Sequence, residues 1–125
     1  MKFSERAAYE KAVRKEFPDF RISELDEKRE FVAAGKREEY FPVHFVSPFK
    51  GSEAAHGFDL GSEKKRLEAL TNARESGKFA ATGKITLVQE KEKQSGLLVF
   101  RPVYRKGAKL NAVEDRRRNL MGFAL

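Results

Sequence analysis

Two prolines set the tightest limit on what this chain can fold into. In Tyr40-Phe41-Pro42-Val43-His44-Phe45-Val46-Ser47-Pro48, Phe41, Val43 and Phe45 alternate onto one face, as in a half-buried strand. Pro42 and Pro48 each remove a backbone donor, so at least one side of that strand must be a sheet edge. Pro18 ends a helix predicted over Ser4–Glu16, with Ser4 as its N-cap and Ala8, Ala12 and Val13 on one face. Phe20-Arg21-Ile22-Ser23 alternates as a short strand. The charged stretch Glu24–Glu39 reads as a helical or loop excursion interrupted at Gly35.

The second half follows the same rules. After a loop-like Gly51–Leu60, a helix is predicted with Ser62 as cap, Glu63 in its first turn and Gly77 as a left-handed end. Leu67, Leu70 and Ala73 form its apolar stripe. Thr82–Glu90 and Gly96–Arg105 read as two strands of a hairpin around Lys91–Ser95. A charged loop with Gly107 leads to a last strand in Asn119–Leu125. The order helix, strand, strand, helix, hairpin, strand gives an α+β fold with a mostly antiparallel sheet and packed helices.

Composition decides whether such a fold can form. Leu, Ile, Val and Phe fill 31 of the 125 positions, about a quarter, above the level of disordered chains. The net charge of +7 is uneven: residues 1–62 carry 11 basic and 12 acidic side chains, residues 63–125 carry 15 and 7. A basic second half fits nucleic acid, anionic lipid, an acidic ligand or a solvated face. The absence of cysteine excludes disulfides, a thiol nucleophile and thiolate metal sites. No apolar run reaches the length of a membrane span, and the charged start is not a signal peptide.

Catalytic chemistry finds no foothold. The two histidines, His44 and His56, form no zinc-binding pair, and there is no nucleophile elbow, phosphate loop or dinucleotide fingerprint. His44 reads as a surface or packing residue facing away from the Phe row, and the Glu38-Glu39 pair as solvated. No catalytic residue, metal or cofactor is expected. A nucleic-acid reading rests on Lys64-Lys65-Arg66 and Arg116-Arg117-Arg118 beside Phe100 and Tyr104. Those aromatics are more economically core, and Glu114-Asp115 dilutes the arginine run.

Asp59 is the unusual residue, set between Phe58 and Leu60 and flanked by Gly57 and Gly61. A carboxylate in such apolar surroundings needs a partner. Two readings stand: a turn or capping residue satisfied by backbone amides, or the polar anchor of a ligand pocket.

The segments Tyr40–Pro48, Gly57–Leu60, Ala73–Gly77, Ile85–Glu90, Gly96–Tyr104 and Arg116–Phe123, in this order and spacing, resemble the CHASE domain. That family comprises extracytoplasmic sensory domains of histidine kinases and nucleotide cyclases, the plant cytokinin receptors among them. The resemblance runs from about Phe20 to Leu125. It implies a stalk helix followed by PAS-like modules, with residues 1–19 as the end of the stalk and 20–125 as the membrane-distal module. It further implies an extracytoplasmic (periplasmic) position in a parent anchored by flanking transmembrane helices, a homodimer formed through the stalk helix, and a kinase or cyclase output elsewhere.

For the site, the resemblance aligns Asp59 with the aspartate that holds the adenine ring in the plant receptors, favouring the ligand-binding reading. It implies pocket walls at Phe45, Ala81, Leu87, Phe100 and Phe123; Leu87, Phe100 and Phe123 are also good core positions by alternation. Arg101 departs from the plant pattern, which has an aromatic there, and either points to solvent or meets an acidic ligand. Gln89-Glu90 and Gln94–Leu97 read more like bacterial chains, so the ligand is not taken to be cytokinin. The expectation is a small-molecule sensor module, not an enzyme, with a nucleic-acid module or a purely structural, dimerising domain as rivals.

Overall fold

The computed structural model of the chain describes residues 1–86 and 95–125. It divides into two units, the first Met1–Ser62 and the second beginning at Glu63. Its described elements are three α-helices and short strands paired antiparallel throughout, a mixed α+β architecture consistent with a PAS-like fold.

In the first unit, helix α1 spans Phe3–Val13 and ends before Pro18, three residues short of the expected Glu16. Its N-cap is Lys2, not Ser4, because Glu5 reaches back to accept the Lys2 N–H at 2.7 Å. The buried side also differs. Ala8 and Ala12 are exposed, whereas Arg6, Tyr9, Glu10 and Val13 are half-buried. Charged residues sit inward because they hold backbone: Arg6 Nη1 donates to the Ala34 carbonyl at 2.7 Å, and Glu10 accepts the Ile22 N–H at 3.0 Å. Tyr9, Val13 and Phe17 then pack on a core of Phe20, Ile22, Ala34 and Tyr40.

The predicted excursion Glu24–Glu39 is instead a β-hairpin followed by irregular chain. Strand β1 (Ser23–Leu25) pairs with β2 (Phe31–Ala33). The turn between them is closed by Asp26, whose carboxylate accepts the Lys28 and Glu30 N–H groups, each at 2.9 Å. Arg29 takes a left-handed φ of 61° there. Charge density hid a turn built by one Asx residue.

Tyr40–Pro48 is extended but is not a continuous strand. It meets residues 57–60 through an isolated bridge at Pro42 and Asp59. The Val43 N–H donates to Phe58 at 3.0 Å, and the Leu60 N–H to Phe41 at 3.0 Å. On the other side of 57–60, the Ser23 N–H reaches Gly57 at 3.0 Å and the Asp59 N–H reaches Ser23 at 2.8 Å. Phe58 and Asp59 therefore run between two other stretches, bridged to Ser23 on one side and to Pro42 on the other. Gly57 is required there: its φ is 84°, and a Cβ would lie 2.4 Å from the Arg21 carbonyl oxygen. The expected Phe row splits, with Phe41 and Val43 half-buried and Phe45 exposed. His44 sits at the surface, its Nδ1 2.8 Å from the Tyr9 hydroxyl.

In the second unit, helix α2 spans Lys64–Ser76. Its cap is Glu63 rather than Ser62, and its carboxylate accepts the Lys65 and Arg66 N–H groups. Gly77 ends it in the left-handed conformation, as expected. The buried stripe is Arg66, Ala69, Leu70 and Ala73, with Leu67 facing outward.

Strands β3 (Ala80–Ala81), β4 (Ile85–Thr86), β5 (Ser95–Gly96), β6 (Val99–Tyr104) and β7 (Leu120–Ala124) follow. Of the predicted hairpin, β4 pairs with β5, and β3, just before the expected arm, pairs with β6; residues 82–84 are not strand, and residues 87–94, with most of the expected turn, lie outside the described residues. The last strand, β7, pairs with β6, giving the order β3-β6-β7. The stretch expected as a charged loop contains helix α3 (Val113–Asn119). Its first turn is steadied by Asp115, which accepts the Ala112 N–H at 3.3 Å.

The first unit also predicts its own pH response. His56 lies in an aromatic cluster, with ring centroids 4.8 Å from Phe17, 4.9 Å from Phe20 and 5.5 Å from Phe49. Burial pushes its imidazole below the ordinary 6.5, outweighing the nearby Glu16 charge. The unfolded chain then binds the proton more readily than the folded one, so this contribution is complete above 6.5 and is lost as pH falls below it. A His56→Phe variant should show a flatter decline of unfolding midpoint on acidification through that range than the parent, measured by thermal melts.

Candidate functional site

Asp59 is wholly buried, with none of its surface exposed. Residues 57–60 hold it between the 41–43 segment and the start of β1, and three donors converge on its carboxylate. Oδ1 accepts the Phe41 N–H at 2.8 Å and the Gly61 N–H at 3.1 Å. Oδ2 accepts the Arg37 guanidinium at 3.1 Å. The Ser62 hydroxyl donates to the Asp59 carbonyl at 2.7 Å, closing the Leu60–Ser62 turn. The turn-and-cap reading of Asp59 thus describes its backbone contacts.

Sequence reasoning missed Arg37. It spans two carboxylates, Asp59 on one side and Glu24 on the other. Nothing in the spacing of residues 24, 37 and 59 announces that cluster; it depends on the β1–β2 hairpin. Burial pushes the Asp59 carboxyl up, with the Phe41 and Gly61 amides and the Arg37 charge pulling it back and Glu24 adding to the rise. Gly61 is tight here: a Cβ would lie 2.8 Å from Phe41 Cδ2 and 3.3 Å from Asp59 Oδ1.

The implied walls fare unevenly. Phe45 is in the first unit and 87% exposed. Phe100, in the second unit, is fully buried and packs edge-on against half-buried Phe123 at 6.2 Å. Ala81 is exposed at the β3 end, paired with Val99. Leu87 lies outside the described residues, as do Gln89, Glu90 and Gln94.

Most of the basic side chains in the two runs have partners within the second unit. Lys65 Nζ donates to the Lys84 carbonyl at 2.7 Å, and Arg66 is buried 3.5 Å from Glu63. Arg116 binds the Glu75 and Leu110 carbonyls, Arg117 pairs with Glu75, and Arg118 with Asp115. Arg116 and Arg117 tie α3 to the end of α2, whereas Arg118 pairs within α3. Among the described residues no His, Asp and Glu group is placed to hold a metal ion. No described helix is long and apolar enough to cross a membrane.

The family model for the CHASE domain matches residues 1–125. The chain belongs to that family, whose members are extracytoplasmic sensory domains of signalling receptors and not themselves catalytic. It is similar to the hybrid signal transduction histidine kinase A of Dictyostelium discoideum, 28% identical over 99 residues. That match covers 74% of this chain and 5% of the kinase, so the chain spans a small fraction of its relative's length.

The carboxylate cluster yields a stability prediction. Asp59→Ala leaves the Phe41 and Gly61 N–H groups without their acceptor and should cost about 2–5 kcal/mol in urea unfolding. Glu24→Gln, at a partly exposed position, should cost no more than about 1 kcal/mol.

Proposed function

We propose that this chain is the ligand-binding sensory module of a transmembrane receptor of histidine kinase or diguanylate cyclase type. Asp59 anchors a small molecule through the ligand's N–H groups. One observation carries the reading: the two oxygens of Asp59 are held unequally. Two backbone amides fix Oδ1. Oδ2 has the Arg37 side chain, which keeps a second carboxylate, Glu24, if it lets go. A ligand N–H donor can therefore replace the guanidinium at Oδ2 while Arg37 stays paired with Glu24 and the Asp59 carboxylate stays fully hydrogen-bonded, which limits the cost of parting a buried ion pair.

Binding shifts the module only by its difference in affinity for the two states. Release of Arg37 from Asp59 changes what holds residues 37–41 to residues 57–61, which makes it the switching contact in this reading. Of the apolar walls that the family resemblance implies, Phe45 is the one in the same unit as Asp59. In the parent, the N-terminal helix continues the stalk and mediates a homodimer, with the module on the periplasmic side and the membrane engaged only by flanking helices.

A thermal-shift screen of the full chain against purines, amino acids and organic acids tests this reading. A ligand that binds only the folded state raises the midpoint. The expected result is a hit that Asp59→Asn abolishes and Arg37→Leu retains. A hit bound equally well by Asp59→Asn would overturn the anchor, and a screen with no hit would favour a structural, dimerising domain.

A further inference from the structure

Arg101 has no carboxylate partner among the described residues. Its guanidinium lies over the Phe79 ring, 5.8 Å from the centroid. It lines a cleft of about 610 Å³ in the second unit, together with Gly77, Lys78, Phe79, Tyr104 and Arg116. Among the described residues, no Asp or Glu lines that cleft. Its size is within the range of small-molecule sites, roughly 300–1,000 Å³.

We infer that this cleft binds a small oxyanion, a carboxylate or phosphate group, through Arg101 and Lys78 with Arg116 behind them. The inference does not depend on Asp59, which lies in the other unit.

Three features support it. First, the cleft sits at the C-terminal end of α2, where exposed carbonyls would ordinarily repel an anion. Here those carbonyls are occupied: Arg116 Nε donates to Glu75 at 2.6 Å and the Tyr104 hydroxyl to Arg74 at 2.7 Å. Second, the carboxylate of Glu75, which precedes the cleft-lining Ser76, is paired with Arg117. Third, Arg116 is set in position by the Glu75, Leu110 and Asn111 carbonyls, neutral acceptors that leave its charge uncancelled.

The side chains divide the work. Arg116 supplies a fixed charge. Arg101, stacked on an aromatic ring, presents a planar donor fork suited to a two-oxygen acceptor. Lys78 adds a mobile point charge. Like charges gathered this way repel one another, and a bound oxyanion offsets that repulsion. Phe79, 68% exposed, and Tyr104 offer apolar surface to the rest of the ligand.

The test is a titration of the full ¹⁵N-labelled chain with inorganic phosphate and with citrate at constant ionic strength. A parallel arm uses phosphatidylcholine vesicles with and without phosphatidylglycerol. The expected result is saturable shifts of the Gly77, Lys78, Phe79 and Arg101 amides, with affinity reduced about tenfold or more in Arg101→Gln and in Lys78→Gln. Both substitutions are at exposed positions, and their melts should match the parent's. Saturation by phosphate or citrate assigns a soluble ligand; binding only to phosphatidylglycerol vesicles assigns the headgroup. Shifts that do not saturate, that survive both substitutions, or that never occur in either arm overturn the proposal. Asp59→Asn should leave the titration unchanged, so failure here and failure of the anchor are separable.

Discussion

The first unit is organised around a charge that water cannot reach. An ionised carboxylate out of solvent is costly unless hydrogen bonds and an opposite charge replace its hydration. At Asp59 they come from three donors on two stretches: the Arg37 side chain and the Phe41 amide, and the Gly61 amide. Satisfying one side chain therefore fixes where the 37–41 segment, the 57–60 segment and the Leu60–Ser62 turn lie. The glycines are part of the same constraint, because a side chain at residue 57 would strike the Arg21 carbonyl and one at 61 would strike Phe41.

That constraint also explains why an extended segment containing Pro42 is tolerated. Ordinary ladder pairing would leave a gap wherever proline lacks its N–H. The segment is joined to its neighbour by an isolated bridge and flanking backbone bonds, with the Asp59 carboxylate taking the adjacent Phe41 amide. A side-chain acceptor thus works where a longer strand would not. Sensory modules need elements with two available arrangements, and a buried contact with one exchangeable partner is a physical form such an element can take.

How much of this was legible in the sequence depends on whether the deciding interaction is local. Gly77 ending α2, antiparallel pairing of Ile85–Thr86 with Ser95–Gly96 where a hairpin is predicted, and a final strand at Leu120–Ala124 are all local signals, and all three are found among the described residues. Asp59 stood out because its neighbours are apolar. The misses have a common origin in charged side chains that hydrogen-bond to backbone or to one another, some nearby and some far along the chain, where a solvated charge is the default reading. Arg6 and Glu10 turned the expected face of α1 over, Asp26 made a hairpin out of a charged stretch, and Glu63 took the cap from Ser62. Arg37 was invisible for the same reason: its partners are 13 and 22 residues away in the chain. In a chain with 36% charged residues, hydrophobic period alone is a weak guide to which charges are solvated and which hold the fold together.

The central claim is that Asp59 is anchored by its two amides and only latched by Arg37. A double-mutant cycle on stability, using Asp59→Ala, Arg37→Leu and the pair, measures that division directly, because alanine removes the acceptor of both amides. The account predicts that Asp59→Ala remains strongly destabilising in the Arg37→Leu background, with a coupling energy well below half of the single-mutant cost. A coupling energy equal to the whole cost of Asp59→Ala would mean that Arg37 is the essential partner, and would contradict the latch.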